Sequence, residues 1–269
     1  MNTVSLKPTP SPAIAPIDAS RAALNEAFDL IGLIDIDLKS LPAVSAVRRK
    51  IRAGEALFDQ DQRFEHIFII RLGTFKTTAI DDEGSEQVLG FALRADILGC
   101  DAYASGRYSS YAIALEDSEV IAIPIEQFKG TGEACQRLER HLFCSLSQEL
   151  NREHRVLAMI GTLGADARVA NFLALLSERY GRMGYSSKRF VLRMTRQEIA
   201  SHLGLTMETV SRAFSNLSRA HLIEANQRSI EVHSIERLRD LRSLRPIARS
   251  RSFPGAAVSQ RPVLTAMAA

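Results

Sequence analysis

The sequence has 269 residues, and its 34 Lys and Arg residues nearly balance 31 Asp and Glu residues, which leaves a formal net charge of +3. A hydrophobic content of 46% and a charged content of 24% are typical of a globular protein and exclude a wholly disordered or fibrous chain. Three scattered cysteines argue against a disulfide framework. The sequence has no apolar run long enough for a transmembrane helix and no secretory signal, so we expect a cytoplasmic protein without a membrane partner.

Charge is distributed unevenly along the chain. Residues 1–160 carry 17 Lys and Arg against 23 Asp and Glu, whereas residues 161–269 carry 17 against 8. The basic second half favours contact with a polyanion, and a basic solvated surface is an equal alternative on charge alone.

The first half of the chain is predicted to be a β domain. Residues 1–18 are rich in Pro, Ser and Thr and predict a disordered tail. We assign the following domain to residues 19–132, in which glycines separate short β-branched and aromatic segments. These segments predict antiparallel strands in a barrel or sandwich, at 67–70, 74–80, 86–91, 111–115 and 119–123.

Residues 133–160 are predicted to form a long helix. Glu153 fills a skipped position in a row of apolar residues that has the spacing of a coiled-coil seam. A helix of this kind pairs with its own copy in a homodimer or packs on its own β domain, and we predict the homodimer. The predicted dimerisation residues are Phe143, Leu146, Leu150, Leu157 and Ile160.

The basic half contains two short helices joined by a turn. An amphipathic helix precedes them, and Thr195 and Glu198 then have the spacing of a capping box. Gly204 supplies a tight turn, and Thr206 is placed to cap the next helix. This arrangement predicts a helix-turn-helix.

The second of these helices carries a polar face opposite its apolar stripe of Val210, Phe214 and Leu217. Arginine binds guanine through two hydrogen bonds, and glutamate accepts from the cytosine amino group, so the face predicts readout of bases in the major groove. An ordinary Glu-x-x-x-Arg pair on a solvated face is the alternative. The polar residues are Glu208, Ser211, Arg212 and Ser215.

Further DNA contacts are predicted beside these helices. Segments 222–225 and 229–232 alternate around a short turn and predict a hairpin wing. Helix starts and the wing tip are places for phosphate contacts. The additional candidates are Thr195, Arg196, Gln197, Thr206, Thr209 and Arg228. We assign this winged domain to residues 161–243 and a basic flexible tail to residues 244–269.

At these motifs the sequence resembles the CRP/FNR superfamily of bacterial transcription regulators, over roughly residues 51–238. Its most specific stretch runs from Met194 to Arg212 and contains Glu208-x-x-Ser211-Arg212, which resembles the FNR pattern for reading TTGAT in a palindrome. The resemblance implies an α+β fold with an N-terminal antiparallel β-roll of the cyclic-nucleotide-binding type, a long dimerisation helix and a C-terminal winged helix-turn-helix. It also implies a homodimeric activator that binds double-stranded DNA and RNA polymerase. The sequence has no Ser/His/Asp constellation, no Gly-rich phosphate loop and no metal-ligand cluster, so we do not expect an enzyme.

The sequence departs from two ligand-binding patterns of the superfamily. Residues 1–99 contain no cysteine and Ile121 stands at the position of a central cluster ligand, so the four thiolates of an iron-sulfur cluster are missing. Cys100 stands where cyclic-AMP receptors have a Glu, and Tyr108 stands at the position of a phosphate-binding Arg, with Arg107 one residue away. We therefore expect no cofactor, as in the FixK-like group.

The input signal stays open at this point. Either the protein has no ligand and is governed by its expression level, or its β-roll senses nitric oxide through haem or binds a cyclic nucleotide, or it senses redox state through Cys100. His66, His141 and His154 are the candidate haem ligands. The acidic segment from Asp81 to Glu86 resembles an FNR surface for RNA polymerase, and an exposed acidic hairpin is the equal alternative.

Overall fold

The computed structural model describes residues 17–32, 46–81, 83–126 and 133–241. Among these residues, the N-terminal part includes helix α1 (Ile17–Ile31), eight strands and a short 3-10 helix (Cys100–Tyr103). The strands are β1 (Val47–Ile51), β2 (Ala56–Phe58), β3 (His66–Leu72), β4 (Phe75–Ile80), β5 (Glu86–Ala92), β6 (Ile97–Leu98), β7 (Tyr111–Ala114) and β8 (Ser118–Pro124). Residues 1–16 of the predicted tail lie outside the described residues.

The eight strands form two antiparallel sheets around one hydrophobic core. The strand orders are β1-β8-β3-β6 and β2-β7-β4-β5. In the first sheet Ile67 lies opposite Ile123 and Ile69 lies opposite Ile121, and all four side chains are buried. The predicted antiparallel β-roll is confirmed, and the five predicted strands correspond to β3, β4, β5, β7 and β8.

Helix α1 is an addition that the sequence analysis did not predict. It begins at Ile17, so the last two residues of the predicted disordered tail are helical. Leu24 and Phe28 lie one turn apart on its buried face and pack into the β-roll core. On the same helix Glu26 forms an ion pair with Arg48 of β1 at 2.6 Å. The helix is therefore fastened to the β-roll by apolar burial and by this ion pair.

Helix α2 (Glu133–Thr162) is 30 residues long, which corresponds to about 45 Å. It ends two residues beyond the predicted boundary at 160. Leu142 belongs to the core of the β-roll, whereas Met159 belongs to the core of the C-terminal domain. The helix therefore connects the two domains by packing one end against each.

The C-terminal domain is a winged helix-turn-helix, as predicted. Its helices pack around one core, and its strands form an antiparallel sheet in the order β10-β11-β9. The elements are α3 (Ala165–Arg182), β9 (Arg189–Val191), α4 (Arg196–Leu203), α5 (Met207–Arg219), β10 (Ile223–Asn226), β11 (Ser229–Val232) and α6 (Ile235–Leu241). The predicted basic tail at 244–269 lies outside the described residues. No helix among the described residues has the length and apolar character needed to cross a membrane.

Candidate DNA-binding interface

A capping box fixes the start of α4. The Glu198 amide donates to Thr195 Oγ1 at 3.2 Å, and the Thr195 amide donates to Glu198 Oε2 at 2.7 Å. Gly204 follows the helix with φ of 62°, where a residue without Cβ has little steric cost. Thr206 then accepts from the Thr209 amide at 3.2 Å and caps α5. The sequence signals for both helix starts and for the turn are therefore present in the structure.

Helix α5 has one buried and one exposed face. The buried residues pack against α3 and are Val210, Ala213, Phe214 and Leu217. The exposed residues include the predicted polar face, which consists of Glu208, Ser211, Arg212 and Ser215. The side chains of Glu208 and Arg212 are 72% and 73% exposed, so the chain itself leaves the predicted reading face accessible to a ligand.

Glu208 and Arg212 hydrogen bond to each other across one turn of α5. This contact is the i,i+4 pair that the sequence offered as an alternative to base readout. An exposed pair of this kind contributes only about 0.2–1 kcal/mol, and bonds to a guanine edge compete with it. The pair is therefore compatible with readout, and it holds the guanidinium near the start of the helix.

The start of α4 lies beside the wing, which we define as residues 223–232. Thr195 and Gln197 are exposed, whereas Arg196 is partly buried, and burial lowers the pKa of its guanidinium. That guanidinium lies 3.5 Å from the centroid of the Phe214 ring. Its Nη2 donates to the carbonyl of Gln227 at 3.3 Å. Arg196 thus has two partners inside the domain, in contrast to the open phosphate ligand that the sequence predicted.

The wing is a short hairpin with Gln227 and Arg228 at its tip. Asn226 pairs with Ser229 at the end of the ladder, and the first strand begins at residue 223, one residue later than predicted. The third strand of the sheet extends to the tip, where the Leu192 amide donates to the Arg228 carbonyl at 2.8 Å. The Arg228 side chain is exposed.

Arg168 is a residue of this interface that the sequence analysis missed. It lies on α3 and donates to backbone carbonyls at the end of α2, at Ile160 and Leu163. It also donates to the carbonyls of Leu203 and Gly204 in the turn between α4 and α5. The side chain therefore joins the long helix to the helix-turn-helix. A single Arg on an amphipathic helix has no local pattern that would identify this role.

The β4–β5 hairpin docks on α4. The Gln87 side chain donates to the Ser201 carbonyl at 2.6 Å, and the Val88 amide donates to Ser201 Oγ at 2.9 Å. Lys76 Nζ lies 3.2 Å from a carboxylate oxygen of Glu198. The carboxylate that caps α4 is therefore also the counterion of a β-roll lysine, and the β-roll is linked directly to the helix-turn-helix.

The predicted dimerisation residues divide into two groups. Phe143, Leu150 and Leu157 are 70%, 52% and 65% exposed. Leu146 and Ile160 are partly buried. An Ile160 methyl group lies 3.8 Å from the point that a Cβ would occupy if Gly204 had one. The first group forms an apolar row that this chain leaves uncovered, whereas Ile160 also supports the turn of the helix-turn-helix.

Tyr108, at the position that resembles a phosphate-binding Arg, is buried in the β-roll. Its ring stacks on Phe58 with a centroid separation of 4.0 Å and meets Phe64 edge-on at 5.6 Å. Its hydroxyl donates to the His66 carbonyl at 2.7 Å, and burial raises its pKa to about 12. An aromatic cluster therefore occupies this part of the β-roll interior.

The other candidate sensor residues show no common site. Arg107 donates to a backbone carbonyl of a neighbouring loop. Burial raises the pKa of the Cys100 thiol to about 12, and burial lowers the pKa values of His66 and His141. His154 is exposed. Within the described ranges, no group of three His, Cys, Asp or Glu residues is arranged to hold a metal ion.

The turn between β4 and β5 carries acidic residues. The Asp81 carboxylate accepts from the amides of Glu83 and Ser85 at 3.0 and 2.8 Å, and Gly84 adopts a φ of 80°. Glu83 is exposed, and residue 82 lies outside the described residues. The carboxylate of Asp81 is therefore used in part to shape the turn.

The fold and this interface together define a DNA-binding regulator that carries a β-roll domain. Residues 167–241 match the Crp-like helix-turn-helix domain, and residues 48–133 match the cyclic nucleotide-binding domain. The chain belongs to the CRP/FNR family of transcription regulators. It matches both of these domains, and transcription regulators of the family match most of its length.

Two curated relatives and one solved structure illustrate the similarity. The transcriptional regulatory protein btr of Bordetella pertussis is 36% identical over 78% of this chain and 87% of its own length. The transcriptional activator protein anr of Pseudomonas aeruginosa is 35% identical over 73% of this chain and 80% of its own length. FixK2 from Bradyrhizobium japonicum is 25% identical, has a TM-score of 0.64, and matches 73% of this chain and 96% of that chain.

Proposed function

We propose that this regulator binds a TTGAT-N4-ATCAA palindrome as a homodimer, without an iron-sulfur cluster, and activates transcription in the cytoplasm. The observation that carries the proposal is the exposed face of α5, on which Glu208, Ser211 and Arg212 stand near the helix start. In this arrangement Arg212 reads a guanine, and Glu208 and Ser211 fix the neighbouring bases. Phosphate contacts come from both capped helix starts and the wing, at Thr195, Gln197, Thr206, Thr209 and Arg228, whereas the guanidinium of Arg196 has its partners within the domain.

Homodimerisation is supported by the apolar row on α2. Phe143, Leu150 and Leu157 follow each other at steps of seven residues and are all exposed. A coiled-coil partner repeats the same row and covers it. Two recognition helices then enter successive major grooves about 34 Å apart. Within this proposal residues 19–132 form the β-roll domain, 133–160 the dimerisation helix and 161–243 the DNA-binding domain.

Ligand-free action is supported by the packing of the β-roll. A cyclic nucleotide needs a cation for its phosphate, whereas Tyr108 carries its ring into the aromatic cluster and Arg107 bonds to a backbone carbonyl. The raised pKa of Cys100 leaves little thiolate for redox sensing. The chain also has three cysteines in total, fewer than the four thiolates of a cluster of this type.

Activation is supported by the name of the relative anr, which is a transcriptional activator protein. An activator contacts RNA polymerase, and the acidic turn from Asp81 to Glu86 is the surface that we propose for this contact. Its exposed Glu83 is available for a partner.

An effector-gated regulator is the second candidate, because residues 48–133 match the cyclic nucleotide-binding domain. The two candidates are separated by a gel shift on the palindrome with protein purified in air. The same sample is then titrated with cyclic nucleotides and loaded with haem, and its visible absorbance is recorded. Binding without additives supports the proposal, whereas binding that appears only with a nucleotide or haem supports the second candidate.

A further inference from the structure

Arg196 links three parts of the DNA-binding domain: α4, on which it lies, and α5 and the wing, which its guanidinium contacts. The residue itself is the first of α4. One face of its guanidinium lies over the ring of Phe214 in α5, 3.5 Å from the centroid. Its Nη2 donates to the carbonyl of Gln227 in the wing at 3.3 Å. A planar group with a fixed fork of donors is suited to hold such partners in one geometry.

The tip of the wing depends on contacts of this kind for its conformation. Gln227 has a φ of 51°, which is unfavourable for a residue with a Cβ, so its neighbours must hold it there. The Leu192 amide holds the Arg228 carbonyl from the β9 side at 2.8 Å, and Arg196 holds the Gln227 carbonyl from the α4 side. The two tip carbonyls are therefore fixed from opposite elements, and the Arg228 side chain is left exposed.

We propose that Arg196 is a positioning residue for DNA binding, which sets the wing against α5 so that Arg228 meets the phosphate backbone. Arg196 thereby acts through Arg228. This inference rests on the proposed function only in requiring that the wing contacts duplex DNA. It differs from the direct phosphate contact expected from the sequence, because one guanidinium face and one Nη2 already have partners within the domain.

The test is a double-substitution cycle in the full-length protein, read as the slope of log affinity against log salt concentration. Each phosphate contact contributes about 0.9 to the magnitude of that slope on duplex DNA. The variants are Arg196→Ala, Arg228→Ala and the two combined, together with Arg196→Lys, which keeps the charge but not the planar fork. Arg182→Ala is the matched control, because Arg182 is an exposed arginine at the end of α3.

We expect Arg196→Ala and Arg228→Ala to lower the slope by the same amount, about 0.9 per protomer. The combined variant is expected to lower it no further, because a displaced wing has already lost the Arg228 contact. Arg196→Lys is expected to match Arg196→Ala, and Arg182→Ala to match the original protein. Thermal unfolding of each variant separates a displaced wing from an unfolded domain, and Arg196→Lys retains the positive charge and an alkyl stem at this position.

Two results overturn the inference. One is an additive loss in the combined variant, about 1.8 per protomer, which identifies Arg196 as a phosphate ligand in its own right. The other is a slope for Arg196→Lys or for Arg228→Ala that equals the slope of the original protein. All slopes are also measured on a duplex with scrambled half-sites, since phosphate contacts do not depend on base sequence. Equal affinity of the original protein for both duplexes contradicts the proposed palindrome and leaves the cycle fully interpretable.

Discussion

Arg212 is the residue on which the proposed base readout depends most. It lies in the first turns of α5, is largely exposed, and has Glu208 as its partner within the chain. Truncation to Ala removes the two bonds to guanine that we propose for this side chain, and we expect a loss of about 1–3 kcal/mol per half-site with relaxed specificity at one base pair. Binding isotherms on duplexes substituted at each half-site position measure both effects. Arg182→Ala is the control, and an unchanged preference at every position would contradict the assignment.

The cysteines differ in their expected reactivity. Burial raises the pKa of Cys100 to about 12, whereas Cys144 is exposed on α2. Because the thiolate is the reactive form, we expect iodoacetamide near neutral pH to modify Cys144 and to leave Cys100 intact in the native protein. Peptide mass spectrometry after timed labelling measures this. Modification of Cys100 at the rate seen after denaturation would reinstate it as a redox sensor.

Arg196 shows how far sequence reasoning reaches at the scale of single residues. The capping box at Thr195 and Glu198 followed from local spacing, since a cap is made within four residues of chain. The partners of Arg196 lie 18 and 31 positions away, on α5 and the wing. Contacts at such separations are set by tertiary packing, and no local sequence pattern predicts them.

At the scale of elements, strands with a strong apolar pattern were predicted and weakly patterned strands were not. β3 and β8 are rich in β-branched residues and were found. β1 has the sequence Val-Arg-Arg-Lys-Ile and lies at a sheet edge beside β8, where its polar side chains remain partly accessible. Its pairing is determined by β8 rather than by its own composition. β6 has two residues and is too short to show the alternation of apolar and polar residues that predicts a strand.

The exposed row of α2 gives a prediction about assembly. Leu157→Asp removes one buried leucine from each side of the proposed dimer, about 3–6 kcal/mol in total, and raises the dimer dissociation constant at least about 100-fold. Asn151→Asp is the matched control, because it introduces the same carboxylate on the same helix outside the apolar row. Analytical ultracentrifugation measures both. Equal dissociation constants for the two variants would contradict a seam through Leu157.

At the scale of the whole molecule, His202 reports on the contact between the β-roll and the helix-turn-helix. Its ring meets Phe91 of β5 at 5.3 Å and Phe172 of α3 at 6.0 Å. Burial lowers its pKa in the folded protein, so the unfolded state takes up the proton first as pH falls. The stability that neutral His202 contributes is therefore present above about pH 6.5 and is lost below it.

We expect the unfolding temperature of the original protein to fall more between about pH 7.5 and about pH 5.5 than that of His202→Gln, which cannot titrate. Burial also lowers the pKa values of His66 and His141, so the difference between the two proteins is the quantity that reports His202. Scanning calorimetry at both pH values measures it. Parallel pH dependence in the two proteins would show that His202 does not couple the domains to pH.

The arrangement of the domains was predicted less completely than the domains themselves. The charge difference between the halves and the change from strand to helix periods located the β-roll, the long helix and the winged domain. The contacts that orient them were not predicted. They depend on pairs such as Lys76 with Glu198 and on the backbone carbonyls that accept hydrogen bonds from Arg168. These contacts join surfaces that are distant in sequence and individually unremarkable in composition.

Equilibrium binding of the ligand-free, air-purified protein to the TTGAT-N4-ATCAA duplex, compared with a duplex of scrambled half-sites, tests the central claim most directly. Fluorescence anisotropy at a fixed physiological salt concentration gives both constants. The account predicts that a dimer binds the palindrome at least about 1,000-fold more tightly than the scrambled duplex. Equal affinities, or binding of the palindrome by a monomer, would contradict it.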